Sequence, residues 1–205
     1  MKDRAEKLKG HAGILLNAYL GLREKFEVLK PIIFEELVAR KHSAKSRARG
    51  FFVVRRALFD SCVLDVHALA FDKDPRTPSV IGFVNALQEQ RVHALLRNSQ
   101  KREAVFDRKY KKVLAEWETF RNQRWAPAFR QLRDQRISHL ELKKVGTDYK
   151  RLDVASLGLQ WGDLEDAVNL LESLVLDLMG LVRDESYDLE NIKEALENDA
   201  RAFWK

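Results

Sequence analysis

The sequence predicts an all-α fold: a bundle of four to five core helices with helical additions at both ends. Three observations carry that prediction. The 205 residues include only nine Gly and four Pro, too few for a turn-rich β sandwich. Apolar residues recur at steps of three and four along most of the chain. No segment shows strand alternation, an internal repeat or low complexity. With 45% hydrophobic and 33% charged residues, the chain can bury a sizeable core and does not read as disordered.

Each element follows from its own pattern. Leu15, Tyr19, Leu22, Phe26 and Leu29 step 4-3-4-3 along a first helix, expected to be interrupted at Pro31. A short second segment carries Ile33, Phe34, Leu37 and Val38, and residues 41–50 are a basic connection or helix start. Residues 51–71 are apolar nearly all round, as a central buried helix should be. In the loop 72–78, Thr77 is the expected N-cap, with Pro78 at the first helical position. Val80, Val84 and Leu87 open the next helix, and Phe106, Tyr110, Val113, Trp117 and Phe120 form another 4-3-4-3 stripe. Pro127 restarts the chain, and the helix after it is expected to run to Lys144, stopped by Gly146. Asp163, with Asp166 three residues on, is the expected cap of a helix with the heptad stripe Leu164, Ala167, Leu171, Leu174, Leu178 and Leu181. A last amphipathic helix carries Leu189, Ile192, Leu196 and Phe203. The expected organisation is an N-terminal helical extension (1–45), a bundle (46–185) and a C-terminal amphipathic helix (186–205).

Charge is segregated along the chain. Residues 91–151 carry 17 basic against 7 acidic side chains, a net +10, whereas residues 152–205 carry 4 against 13, a net −9. Such a basic block suits a phosphate-backbone partner; pairing between the basic middle and the acidic end is the alternative. The single cysteine, Cys62, excludes a disulfide framework and a Cys-based zinc site. No run is long and apolar enough to span a bilayer and the N-terminus has no apolar signal core. A cytoplasmic protein without membrane contact is the expectation.

Most familiar catalytic motifs are missing, including phosphate loops, nucleophile elbows and HExxH. Glu89 with His93, and Asp72 with Asp74, read as a surface contact and a capped loop. His67, inside the most apolar helix, reads as a core histidine. No metal or cofactor is expected. The segment Leu132–Leu140 differs: Arg133 is followed directly by Asp134, and His139 comes six residues after the arginine. Histidine exchanges a proton near neutral pH, and arginine forks onto phosphate oxygens. Together they suffice to cleave RNA without metal. A base takes the ribose 2′-OH proton, the oxygen attacks the adjacent phosphorus, and the cation stabilises the added negative charge.

Arg133 to His139 resembles the R-x(4–6)-H signature of the HEPN superfamily, which carries a polar residue after the arginine. LRDQRISHLE is most similar to the abortive-infection, AbiU-type branch. Residues 55–74 resemble that branch's first core helix with its acidic loop, and 163–183 its last core helix, so the likeness covers about residues 50–185. It implies an HEPN-like bundle, a homodimer, and metal-independent endoribonuclease activity from an Arg/His pair at the dimer interface. The roles it implies are toxin or antiphage defence, with RNA as substrate and room for an antitoxin or defence-system partner. The catalytic candidates are then Arg133 and His139, supported by Asp134, Arg136 and Ser138. Arg130, Lys143, Lys144, Lys150 and Arg151 are candidates for RNA binding. Family members regulated by a nucleotidyltransferase carry a tyrosine two residues after the histidine; Glu141 stands there, against that form of control.

Arg4 and His11 also match the spacing, but Ala5 follows the arginine and Gly10 precedes the histidine. On an ideal helix, residues six apart lie about 120° apart around the axis, with Arg136 between Arg133 and His139. Both arrangements stay open, a pair within one chain or one completed across the dimer. The reading of a different class is an inert helical nucleic-acid-binding or protein-interaction module.

Overall fold

The longest element is α1 (Lys2–Phe34), a helix that packs against α3 (Ala48–Phe71), α8 (Trp161–Arg183) and α9 (Glu190–Phe203). The protein is seen here as a computed structural model that describes residues 2–43, 48–100, 102–134, 142–145, 148–151 and 154–205. The predicted stripe Leu15, Tyr19, Leu22, Phe26 and Leu29 is buried to 1% exposure or less. Pro31 does not interrupt α1, contrary to expectation. A proline inside a helix costs about 3 kcal/mol, but Leu29 and Ile32 on either side of it are fully buried, and that burial holds the last turn in place. The short helix α2 (Glu36–His42) follows.

Only part of α3 is enclosed. Phe59, Cys62, Val63, Val66, Leu69 and Ala70 are buried, yet Phe52, Val53 and Val54 are 46%, 61% and 42% exposed. Residues 51–71 are therefore not a uniformly buried helix: no element covers the outer side of its first turns among the described residues. The next helices are α4 (Val80–Gln88) and α5 (Gln90–Ser99), which meet at an extended Glu89. The cap of α4 is Ser79, whose Oγ accepts the Gly82 N–H at 3.2 Å. Thr77 lies two residues too early, in the turn that its N–H closes onto the Asp74 carbonyl at 2.9 Å. Pro78 accordingly precedes the helix.

The stripe of α6 (Glu103–Arg121) is buried as predicted at Phe106, Val113, Trp117 and Phe120. Pro127 does restart the chain, in the first turn of α7 (Ala126–Leu132). That helix is shorter than expected. Residues Leu142–Val145 (β1) and Asp148–Arg151 (β2) form an antiparallel pair in the register Leu142↔Arg151 to Val145↔Asp148. The expectation of helix to Lys144, and of no strand, is corrected here.

A 3-10 turn, Val154–Leu157, leads into α8. Its N-cap is Gln160, not Asp163. Asp163 acts from the third helical position, accepting the Gln160 N–H at 2.8 Å and pairing with Arg124 at 2.6 Å. The whole predicted stripe from Leu164 to Leu181 is buried, and α8 packs on both α1 and α6. In α9 the apolar face is less enclosed than its pattern suggests: Ile192 and Phe203 are 42% and 68% exposed. Polar contacts hold that helix instead. Lys193 pairs with Glu172 at 3.1 Å and Lys30 with Glu197 at 3.1 Å. The Trp204 indole N–H donates to the Val28 carbonyl at 2.7 Å.

The two terminal additions share one core with the bundle, since Leu15 and Leu22 of α1 belong to the same buried cluster as Val66, Phe120 and Leu174. Part of the charge segregation is paired internally: Lys112–Asp177 (2.6 Å) and Arg124–Asp163 join the basic middle to the acidic last third. Among the described residues no helix is long and apolar enough to cross a membrane.

Candidate active site

Four aromatic and aliphatic residues fix α7. Trp125, Phe129 and Leu132 are buried to 1% or less, and Trp125 lies edge-on to Phe120 of α6 with centroids 5.0 Å apart. This anchors α7 beside α3, which it also contacts. With the apolar side so engaged, Arg130 and Arg133, three residues apart, line a cleft against α3. The backbone stays helical through Arg133 (φ −58°, ψ −52°). Its Nη1 pairs with Asp134 Oδ1 at 2.7 Å, both side chains being about two-fifths exposed. A carboxylate on one edge of the guanidinium orients it.

The opposite wall comes from α3 and the loop after it: Asp65, His67, Ala68, Phe71, Asp72 and Lys73. His67 is 9% exposed, its ring tilted against Phe71 with centroids 5.6 Å apart. Burial first, and then Arg133, push the imidazole below its ordinary range; Arg130 adds to the effect, while Asp134 and Asp72 oppose it. Burial and the two facing arginines thus favour the neutral ring. It is buried, as expected of a core histidine, but it also opens onto the cleft, a role the sequence reading missed. Residues 67 and 133 are too far apart for any spacing rule; the only signal was one ionisable ring within the apolar run of α3.

Of the remaining candidates, Arg130 is exposed on the cleft wall. Arg136, Ser138 and His139 lie outside the described residues, so the expected Arg133–His139 pair has no geometry here. Lys143 and Lys144 fall on β1, and Lys150 and Arg151 on β2, where Lys143 is in register with Lys150.

The competing match to the spacing is engaged elsewhere. Arg4 pairs with Glu89 at 2.6 Å, and His11 lines a separate pocket by Pro75 and Ser79. His93 packs edge-on against Phe106 and Tyr110, which makes it a packing residue. Asp72 and Asp74 accept backbone N–H groups two residues on, at 2.9 Å each, the loop-capping role expected for them. Among the described residues no group of three or more His, Cys, Asp or Glu side chains is arranged to hold a metal ion.

The family model HEPN AbiU2 matches residues 5–203. It extends beyond the resemblance over residues 50–185 and takes in α1 and α9. No curated protein and no solved structure matches the chain.

Proposed function

Because this chain belongs to the AbiU2 family of HEPN proteins, we propose that it is a metal-independent endoribonuclease acting in abortive infection. The observation that best supports the reading is the cleft between α3 and α7. There Arg130, Arg133 and Lys73 stand with Asp65, Asp72 and Asp134 around one opening that also holds His67, whose imidazole burial and Arg133 push below its ordinary range. A phosphodiester seated in it would meet the guanidinium of Arg133, oriented by Asp134. As the 2′-oxygen attacks, charge accumulates on the non-bridging oxygens, where a fixed guanidinium acts more strongly than on the ground state. His139 is assigned proton transfer on the strength of the sequence signature, and a homodimer completes the site.

The test is cleavage of total RNA by purified protein in EDTA. Fragments ending in 2′,3′-cyclic phosphate are the expected product. Salt-sensitive RNA binding without cleavage would instead make the protein an inert binding module.

A further inference from the structure

The first turns of α3, which no described element covers on their outer side, carry more than apolar surface. Phe52, Arg55 and Phe59 line an open pocket together with Gln160, the N-cap of α8, and Trp161, its first residue. Its volume, about 360 Å³, is that of a small-ligand site. From this arrangement we propose that the pocket takes one unpaired base of an RNA strand, stacked on Trp161 and Phe52 with its phosphate on Arg55; this rests on the RNA reading above.

Trp161 is 40% exposed, whereas Trp117, Trp125 and Trp204 are 8% exposed or less. Its ring stands edge-on to the buried Phe59, with centroids 5.2 Å apart and planes at 86°. That contact fixes the indole while part of it stays open to solvent. Arg55 joins it to Phe52, its Cζ lying 5.6 Å from the Trp161 centroid and 5.0 Å from that of Phe52. No acidic residue lines the pocket. Arg56 is engaged by Asp60 at 2.7 Å. Arg55 forms no ion pair with any described residue and holds only to aromatic rings.

Exposed aromatic faces beside an arginine without a carboxylate suit an unpaired nucleotide, which brings a π-face to stack and a phosphate to neutralise. Bases inside a duplex keep their faces stacked on each other and cannot enter. Arg55 precedes His67 by 12 residues on α3, about 18 Å along the axis. The pocket is therefore a subsite for a nucleotide away from the scissile phosphate.

Trp161 supplies the readout. A 2′-O-methyl oligouridylate, which lacks the attacking hydroxyl and stays intact, is titrated into the protein while tryptophan fluorescence is followed. Saturable quenching is expected with the single strand, little with the same strand annealed to its complement, and weaker binding with UMP. In Trp161→Phe the quenching is expected to disappear with affinity largely kept, since phenylalanine still offers a ring. Trp161→Ala and Arg55→Ala are expected to weaken binding by about 5- to 150-fold, the range of one base–aromatic stack, with melting measured alongside. On cleavable RNA they are expected to raise KM and leave kcat near wild type.

Folded variants that bind the strand as wild type does, or a bound strand that leaves wild-type fluorescence unmoved, would overturn the proposal and leave the nuclease reading standing. Quenching without cleavage would keep the pocket and overturn the nuclease. Protein that binds no RNA would overturn both. Equal affinity for UMP and the strand would assign the pocket to a free nucleotide, against its place in RNA binding. Loss of acrylamide access to Trp161 on dimerisation would show a second copy covering the pocket, which also overturns the proposal.

Discussion

Arg133 and His139 carry the heaviest assignment at the scale of single residues. Arg133→Ala is expected to abolish RNA cleavage with little change in melting temperature, because its side chain is 41% exposed and its pairing with Asp134 is local. The loss reflects phosphate stabilisation, of order several kcal/mol in the transition state. His139→Ala is expected to cost about a hundredfold or more through lost proton transfer, and the double variant no more than the worse single one, since both act on one transition state. His11→Ala, from the competing match, is expected to cleave like wild type, and a cleavage assay on all four proteins checks the set. Active His139→Ala protein would remove the mechanism. Arg133 was legible in the sequence because a short-range pattern marks it. His67 was not, because its partner lies 66 residues away in sequence and only the packing of α7 on α3 brings them to one cleft.

At the scale of elements, the N-terminus of α8 is held by one buried carboxylate. Asp163 is 3% exposed, accepts the Gln160 N–H and pairs with Arg124. Asp163→Ala is expected to lower unfolding free energy by about 1–2 kcal/mol. Arg124→Ala is expected to cost less than about 1 kcal/mol, since that side chain is 59% exposed; denaturant titrations separate the two.

A second polar feature ties α1 to α8. Tyr19 donates to Glu172 at 2.5 Å, Arg23 to Asn169 at 2.8 Å, and Arg23 pairs with Glu27 at 2.8 Å. Burial holds the Glu27 carboxyl above its ordinary range against the pull of Arg23 and Lys30. A carboxyl raised on folding contributes stability that is complete below its unfolded value and lost as pH rises through the folded one. The stability of wild type relative to Glu27→Gln is thus expected to fall as pH rises from the ordinary carboxylate range towards neutrality, as paired thermal melts would show. A difference that grows with pH would mean that the Arg23 pair outweighs burial.

The whole molecule is basic, with net charge +6, and the excess lies in residues 91–151. Internal pairs consume some of it, at Lys112 and Arg124, while Arg130 and Arg133 line the open cleft. RNA affinity is expected to fall by orders of magnitude between about 50 and 200 mM salt, the mark of counterion release. Affinity indifferent to salt would assign the basic block to internal pairing. A homodimer is expected in sedimentation at micromolar concentration, and a monomer that still cleaves RNA would place the complete site within one chain.

Periodicity alone determined that the chain is helical and which faces are buried, because a 3.6-residue repeat sorts side chains locally: the stripes of α1, α6 and α8 lie where their spacing put them. The R-x(4–6)-H segment, together with residues 55–74 and 163–183, pointed to the family, because each pattern is carried by residues close together in the chain. Local rules failed where neighbours supplied the deciding energy. Flanking burial carried α1 through Pro31, pairing of backbones turned 142–145 and 148–151 into strands, and a reciprocal capping box with Asp163 set the start of α8 at Gln160. Only the tertiary structure brought His67 to Arg133, since a site built from α3 and α7 exists only once both helices have buried their apolar sides against the same core.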